Sequence, residues 1–561
     1  MNNRIETSPG ALYLAETHEL SNLSSDLCNY NMYTEDAVLT EAVQREGGQW
    51  ATSELSAFGK MTGAADYLEL GNLANKFTPE LETHDRFGNR IDLVKFHPAY
   101  HQLMQNSIEH GLHASPWTHS GPGAHVARAA KTYLHTQVEA GHGCPITMTF
   151  AAVPALRLQP ELARVWEPKV TARVYDPRNV PVEQKLGVTI GMAMTEKQGG
   201  SDVRSNSTRA YPLGTGGPGQ AYELVGHKYF VSAPMCDAFL VLAQTAVGLS
   251  CFLLPRWRPD GSKNAMQVLR LKRKMGNASN ASSETELRGA LAWMVGEEGR
   301  GVRNIIEMVN MTRFDCMIGS SAGMRMAASQ ALHHCSVRSA FGKVLNQQPL
   351  MQNVLADLAL ESEAALTLTM RMARAMDHRA EEQEDSLVRL VTAVGKYWIC
   401  KRTPSHAYEA MECIGGSGVM EDSMMPRLYR EAPVNSIWEG SGNVQCLDVL
   451  RALSKTPAVL DAFFTEVSLG KGTHAALDRY VADLATDLKE VRDFEYRARD
   501  VVDRMALALQ ASLLVRHAPG FVSDAFCHSR LGQWGHHNYG TLPRGIDAAA
   551  IIARATPESS A

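Results

Sequence analysis

One carboxylate in this chain has a setting that suits a general base. Glu439 follows the aromatic Trp438 and precedes Gly440 and Gly442. An indole that shields a carboxylate from water raises its pKa and makes it a stronger base near neutral pH. Glycines lack a Cβ, so their backbone can turn tightly and approach a flat ligand. On these residues alone, an ordinary helix entrance with an exposed glutamate is an equally good interpretation.

A helix is expected directly after this loop. Asn443 is a plausible N-cap, and apolar residues recur at helical spacing at Val444, Leu447, Leu450 and Leu453. The N-terminus of a helix beside a glycine-rich loop favours anions. The loop and the helix together suit a flat ligand that carries phosphate.

Two earlier segments have the composition of further ligand contacts. Residues 194–202 read Met-Thr-Glu-Lys-Gln-Gly-Gly-Ser-Asp, and their N–H and O–H groups can meet a ring edge and a phosphate. A surface turn explains this segment equally well. Residues 226–232 read Gly-His-Lys-Tyr-Phe-Val-Ser, a strand-like run that could lay an aromatic and a hydroxyl against a flat ring. A buried sheet strand is the commoner use of that pattern.

Two later segments combine glycine with arginine. Arg338 stands three residues before Phe341, which suits a bidentate phosphate contact with adjacent stacking. Residues 414–418 are glycine-rich and precede Arg427 and Arg430. A solvated arginine and a plain helix stop are the alternatives for these two segments.

The composition limits the class of protein. A length of 561 residues predicts three or four domains. The 55 Lys and Arg residues nearly balance the 60 Asp and Glu residues, so no overall charge marks nucleic acid or membrane as a partner. The ten cysteines are scattered without a C-x-x-C pair, which indicates reduced thiols in a cytoplasmic protein and no metal site. No apolar run reaches a membrane span, and the N-terminus has no signal peptide.

The patterning along the chain predicts a mostly α protein with a central β domain. Residues 1–35 form a polar arm that is loose or docks elsewhere, and 36–185 are a helical domain. Short β-rich runs between turn clusters make 186–301 an antiparallel β domain. Residues 302–455 form a helical bundle, and 456–561 form a C-terminal helical extension.

Taken together and in this order, the segments resemble the acyl-CoA dehydrogenase family. That family has a T-E-x-x-x-G-S-D turn, a K-x-W-I-T/S strand, an R-x-x-F-G segment, and G-G-x-G followed by a Glu-Gly loop. Counterparts of all four lie between about residues 185 and 450. The resemblance implies a helical domain, a β-barrel-like domain and a helical bundle, with FAD between the last two and usually a homotetramer.

The resemblance also implies roles for residues. Glu439 matches the catalytic base that removes an α-proton from an acyl thioester while a β-hydride passes to flavin. Some members carry their base directly before the residue that matches Arg313, but Thr312 stands there and cannot serve. Arg338 would reach FAD, often that of a neighbouring subunit. The residues implied to bind FAD are Met192, Met194, Thr195, Gly200, Ser201, Phe230, Val231, Ser232, Arg338, Gly415, Gly416, Ile437, Trp438, Gly440, Ser441, Gly442 and Asn443.

Three positions depart from the family pattern. Glu412 stands where the family often has Gln before G-G, and Pro349 follows Gln348 where it often has Gln after R-x-x-F-G. The strand aromatic is Phe230 rather than Trp, a smaller change that keeps an aromatic ring.

Within the family, three segments are most similar to a flavoprotein of the alkylation response, namely residues 144–150, 311–316 and 433–443. That likeness implies double-stranded DNA as a partner of the C-terminal region. From Leu469 onward, 11 Lys and Arg residues face 11 Asp and Glu residues, so a DNA face requires segregation of charge. The arginines expected to form it are Arg492, Arg497, Arg499 and Arg504.

Three functions therefore stay open. The first is oxidation of a short or branched acyl thioester, with an electron acceptor that the residues do not identify. The second is a DNA-binding protector in which FAD is structural. The third is a flavin oxidase of the same superfamily, although such nitroalkane oxidases use Asp as the base and this chain has Glu439.

Overall fold

A computed structural model of the chain describes residues 17–490, 492–532 and 538–558. The second half of the N-terminal arm is part of the core, because Leu27, Tyr30, Met32 and Tyr33 are buried. The amide of Asn22 also donates to the carbonyl of Ser339, far along the chain. This part of the arm therefore docks on the rest of the protein.

The N-terminal helical region contains eight helices and one hairpin among its described residues. Helix α6 holds the apolar series from Val126 to Val138 that the sequence predicts to face the core. The hairpin was not predicted, because β1 alternates between exposed and half-buried residues and β2 is a short run interrupted by charged residues. The bounds are α1 (Ala37–Arg45), α2 (Thr52–Thr62), α3 (Ala65–Lys76), β1 (Glu80–His84), β2 (Arg90–Lys95), α4 (Pro98–Glu109), α5 (Ser115–Thr118), α6 (Ala124–Val138), α7 (Gly143–Arg157) and α8 (Pro160–Val170).

The middle region is a seven-stranded sheet that closes on itself. Its bounds are β3 (Ile190–Ala193), β4 (Arg209–Pro212), β5 (Ala221–Ser232), β6 (Ala238–Gln244), β7 (Leu249–Pro255), β8 (Met266–Leu271) and β9 (Ser282–Val295). The order β6-β4-β5-β9-β7 returns to β6 through the β6–β7 pairing, which gives a barrel with β3 and β8 outside the ring. The prediction of an antiparallel domain was wrong for two pairings, since β3 and β4 both run parallel to β6. Strand β6 is buried almost throughout, and such a strand carries no alternation that would reveal its direction.

The bundle follows the sheet. Its bounds are α9 (Gly301–Asn304), α10 (Ile306–Val337), β10 (Ser339–Ala340), β11 (Lys343–Val344), α11 (Pro349–Asp377), α12 (Glu382–Ile414), α13 (Met425–Glu431), α14 (Val434–Ile437) and α15 (Gly442–Lys455). Helices α10 and α12 approach closely at Gly395, where a Cβ would lie 2.4 Å from Cε of Met317. The long helices place one turn of α10 and one turn of α12 beside the loop that carries Glu439.

The C-terminal extension packs onto the bundle through buried ion pairs. Its bounds are α16 (Ala458–Ser468), α17 (Ala475–Asp487), α18 (Ala498–His517), α19 (Gly520–Arg530) and α20 (Ala548–Ala555). Arg371 of α11 contacts Glu384 of α12 and Glu466 of α16, each at 2.8 Å. The core of the bundle continues into α16 and α18 without a break. No helix in the described parts of the chain has both the length and the apolar character of a membrane span.

Candidate active site

Glu439 lies in the short loop between α14 and α15, in a backbone conformation that side chains rarely adopt. Its φ is +57°, and that of Gly440 is +97°. A left-handed φ at a non-glycine residue costs about 1–3 kcal/mol and persists only where neighbours hold it. The neighbour here is Lys396 of α12, whose Nζ donates to the carbonyls of Trp438 at 2.7 Å and Gly440 at 2.5 Å. Lys396 is fully buried, so these two oxygens are the ligands of its charge.

The peptide of Glu439 is fixed from two more helices. Arg313 of α10 donates from Nε to the Glu439 carbonyl at 3.0 Å, and Gln445 of α15 donates to the same oxygen at 3.1 Å. Arg313 is itself held by Asp448, at 2.7 Å. Asp448 also accepts from Arg389 at 3.1 Å, so a network of charges anchors the loop.

The carboxylate of Glu439 has one hydrogen-bond partner among the described residues. Thr312, directly before Arg313, donates from Oγ1 to Oε2 of Glu439 at 2.8 Å. Oε1 is therefore available to accept a proton. The sequence showed only that Thr312 cannot be a base, and this contact adds that it orients the carboxylate that can. The indole of Trp438 is tied to Asn435 at 2.9 Å, and Glu439 is half-buried.

The β region carries the other predicted cofactor contacts. The carbonyl of Thr195 accepts from the amide of Tyr229 at 2.9 Å, which joins the 194–202 turn to β5. Below it, Glu196 and Lys228 form an ion pair of 2.8 Å in which neither side chain is exposed. Burial alone would raise the pKa of Glu196, but the Lys228 ammonium and hydrogen bonds outweigh it and hold that pKa at about 2. Burial lowers the pKa of Lys228 to about 8.

The predicted cofactor contacts in the β region differ in which of their atoms are accessible to a ligand. Phe230 keeps an exposed ring face, with Nζ of Lys272 4.3 Å from the ring centroid. Ser232 is half-buried at the end of β5. The side chain of Val231 points into the sheet core and is fully buried, so only its backbone can meet a cofactor. Met192 and Met194 are half-buried and pack against the core beneath the turn. Gly200 lies against Thr195, and Ser201 is exposed.

The glycines around α12 and α15 leave backbone accessible. A Cβ on Gly415 or Gly416 would meet no described atom within 4 Å. Helix α15 begins at Gly442 with Ser441 as N-cap, so the prediction of Asn443 as the N-cap was wrong. Asn443 instead accepts from Nε of Arg499 at 2.9 Å. Ile437, on the other side of the loop, is exposed.

Arg338 lies apart from these groups. Its Nη1 donates to the carbonyl of Asn22 at 2.6 Å, and no contact among the described residues joins it to the Glu439 loop. The adjacent Phe341 is 100% exposed with a φ of +52°. Gln348 ties the same hairpin together by donating to the carbonyl of Ala340 at 2.8 Å. Glu412, the other departure from the family pattern, is exposed.

The four arginines expected to bind DNA already have partners. Arg492 pairs with Glu490 at 3.1 Å, and Arg497 pairs with Asp487 at 3.4 Å. Arg504 also pairs with Asp487, and Arg499 contacts Asn443 as described above. Three of the four arginines therefore have an acidic partner among the described residues, Arg499 contacts a neutral amide, and the DNA role of the set stays a prediction.

Known proteins share this fold and these segments. The family model "Adaptive response protein AidB N-terminal domain" matches residues 22–177. The middle and C-terminal domain models of acyl-CoA dehydrogenases match 191–290 and 299–454. The "Putative acyl-CoA dehydrogenase AidB" of Escherichia coli K12 is 47% identical over 525 residues, which cover 93% of this chain and 95% of that protein.

The chain belongs to the acyl-CoA dehydrogenase family. It is an oxidoreductase of that family, whose members bind FAD. Among solved structures, Caenorhabditis elegans ACDH-11 in complex with C11-CoA has a TM-score of 0.83 at 27% identity, covering 99% of this chain and 95% of that one. The acyl-CoA dehydrogenase of Bacillus anthracis complexed with FAD has the same fold, with a TM-score of 0.62 at 19% identity and 82% of each chain covered.

The residues present fit FAD. The exposed face of Phe230 suits stacking on a flat ring, and the uncovered backbone at Gly415 and Gly416 suits close approach by a dinucleotide. A Cβ on Gly442 would lie 3.8 Å from Nζ of Lys401, which places a cation at the first turn of α15. A cation and a helix N-terminus together favour phosphate.

Proposed function

We propose that the protein oxidises an acyl-CoA thioester between Cα and Cβ, with Glu439 as the base. Bound FAD supplies the hydride acceptor. Oε1 of Glu439 takes the α-proton, while Thr312 holds Oε2 and so fixes the direction of the free lone pairs. Lys396 and Arg313 hold the peptide in its left-handed conformation, so that the carboxylate is in place before substrate binds.

One observation carries this proposal. Three buried or half-buried side chains, Arg313, Lys396 and Gln445, donate to the three consecutive carbonyls of residues 438–440. The middle residue of the three is a glutamate with one carboxylate oxygen that has no hydrogen bond among the described residues. A merely structural turn would place glycine at the strained position, which costs nothing there. The likeness to AidB and to a relative solved with C11-CoA supports a thioester as the substrate class.

The test is anaerobic flavin reduction by a panel of acyl-CoA thioesters. Glu439→Gln should keep FAD and lose reduction by at least a hundredfold, because the amide cannot accept the proton. Glu297→Gln changes an exposed carboxylate at the edge of the sheet region and serves as the matched control. Reduction by Glu439→Gln at the wild-type rate would exclude Glu439 as the base.

We propose further that the protein associates with DNA during alkylation damage and assembles as a homotetramer. The first proposal rests on the match to the AidB model over residues 22–177. The second rests on Phe341 and Leu350, two apolar side chains near the β10–β11 hairpin that are fully or largely exposed in the single chain. Large exposed apolar groups close together mark surfaces that a partner covers.

A further inference from the structure

The loop between β8 and β9 is held in place by hydrogen bonds, both within the loop and to other regions of the chain. Nζ of Lys274 donates to the carbonyl of Asn280 at 2.5 Å and to Oγ of Ser282 at 2.9 Å. The amide N–H of Asn277 donates to Glu431 of α13 at 2.6 Å. Oγ of Ser279 donates to a buried glutamate of the helical region, Glu139, at 2.8 Å. The position of this loop is therefore set by contacts to two other regions of the chain.

Two side chains of this loop have buried polar atoms that make no hydrogen bond to any described residue. Asn277 and Asn280 are 2% and 1% exposed. Oδ1 of Asn277, and both Oδ1 and Nδ2 of Asn280, make no hydrogen bond among the described residues. Buried amide atoms in native proteins are almost always paired, so three unpaired atoms on one loop require a ligand or a water.

The unpaired amide of Asn280 lies next to the end of β5 that carries Ser232. The amide N–H of Ala233 donates to the carbonyl of Ala281 at 2.8 Å, and Ser232 pairs with Ser282 across β5 and β9. Burial raises the pKa of the Cys144 thiol, at the start of α7, and the charges of Lys274 and Glu439 act on the same thiol. Ser232 ends the strand that offers its face to the cofactor, and Glu439 carries the base. An acyl chain held between Ser232 and Glu439, as the proposed function requires, would therefore pass close to the amide pair, Asn277 and Asn280.

The charges around the amide pair nearly cancel. Lys274 faces Glu431, and burial together with Glu139 raises the pKa of Glu431 to about 7. Burial lowers the pKa of Lys274 to about 8. Arg427, which also faces Glu431, is balanced by the ionised Glu139. A charged ligand would gain little from such a set, whereas a neutral group that both donates and accepts suits free amide atoms.

We propose that Asn280, with Asn277, binds a hydroxyl group on the acyl chain, so that the substrate class is a hydroxyacyl thioester. This assignment rests on the proposed function. The hydroxyl accepts a hydrogen bond from Nδ2 of Asn280 and donates one to an amide oxygen of the pair. An alkyl chain would leave these amide atoms without hydrogen bonds. A site built to hydrogen-bond a hydroxyl rejects the analogue that lacks it, because the buried polar groups are then left unpaired.

The experiment compares dissociation constants for matched thioesters on the FAD-loaded protein, in a Glu439→Gln background that prevents turnover. The pairs are butyryl- and 4-hydroxybutyryl-CoA, hexanoyl- and 6-hydroxyhexanoyl-CoA, and octanoyl- and 8-hydroxyoctanoyl-CoA. At least one hydroxylated member should bind ten times more tightly than its plain partner. Asn280→Leu should abolish this preference and bind the plain chain at least as tightly as before, an inversion that general damage to the fold cannot produce.

Asn280→Ala provides a second variant without added bulk, and Asn72→Leu on the exposed face of α3 is the control that should keep the preference. Equal affinity within every pair, or a preference that survives both Asn280 variants, overturns the hydroxyl assignment and leaves the dehydrogenase proposal standing. Failure of every thioester to bind overturns both. Tighter binding of ω-carboxyl analogues than of hydroxyl ones replaces the hydroxyl with an anion and likewise overturns the assignment.

Discussion

Replacement of Lys228 by Met would leave the carboxylate of Glu196 buried without its partner. Neither side chain of the pair is exposed, and Nζ of Lys228 also donates to the carbonyl of Leu242 at 2.7 Å. Breaking a buried ion pair on one side costs about 3–5 kcal/mol, because an uncompensated charge stays in the interior. A native protein has only about 5–15 kcal/mol in total, so the single variant should unfold at much lower urea concentration.

The double variant Lys228→Met/Glu196→Gln isolates the cause. It removes both charges, and the glutamine oxygen can still accept from the amide of Ser207, which lies 2.7 Å from Glu196 in the wild type. Its unfolding free energy should recover to within about 1–2 kcal/mol of the wild type, since a buried ion pair and a neutral replacement are often equivalent. Urea unfolding followed by circular dichroism gives these free energies, and flavin fluorescence reports release of FAD from the adjoining turn.

The pH dependence of the unfolding free energy tests the same argument independently. In the wild type the pKa of Glu196 is lowered from 4.5 to about 2, so its stabilisation is present above about pH 4.5 and is lost as the pH falls toward 2. In Lys228→Met the ammonium is absent, so burial favours the protonated form of Glu196. The stability lost by the variant relative to the wild type should therefore be smaller at pH 4 than at pH 7. The argument would be refuted if the double variant were no more stable than Lys228→Met. It would also be refuted if the stability lost by Lys228→Met relative to the wild type grew as the pH fell.

Three further predictions concern the base, the assembly and DNA. Thr312→Val should retain FAD and lower kcat for flavin reduction by about ten- to a hundredfold, because it loses a charge-assisted hydrogen bond of about 1.5–3 kcal/mol; an unchanged kcat would remove Thr312 from the mechanism. Phe341→Asp should sediment as a smaller particle than the wild type, because a charge cannot be buried at the subunit contact proposed for this hairpin. Simultaneous replacement by Ala of Arg492, Arg497, Arg499 and Arg504 should weaken DNA binding equally on all sequences and flatten its salt dependence, while the FAD content stays unchanged. DNA binding by the wild type without salt dependence would contradict this prediction.

The parts of the fold that the sequence predicts are those with local signals. The helical spacing from Val126 to Val138 and the turn clusters between the strands each identify an element without reference to the rest of the chain. The β1–β2 hairpin and the parallel pairing of β3 lack such a signal. The direction of β3 depends on where β6 returns after a hairpin, which is a property of the whole sheet.

The candidate site divides in the same way. Glu439 stands out because its neighbours in sequence are an aromatic and glycines. Lys396 and Thr312 do not, because they meet the loop only after α10 and α12 have packed beside it. A lysine inside an apolar helical run is the one signal that could have pointed to Lys396, since such a residue must find oxygen ligands. The unpaired amide atoms of Asn277 and Asn280 depend on the packing of three regions, so they cannot be recognised from the sequence alone.

Two buried arginines join the bundle to the C-terminal extension and determine how the chain can unfold. Arg371 is shared between Glu384 and Glu466, and Arg530 of α19 pairs with Asp357 of α11. Truncation after α15 would remove Glu466 from Arg371 and Arg530 from Asp357, and would leave these buried charges with fewer partners. The long bundle helices and the extension should therefore exchange their amide hydrogens as one cooperative unit. The region is not a detachable module, and its role has to be tested by surface substitutions rather than by deletion.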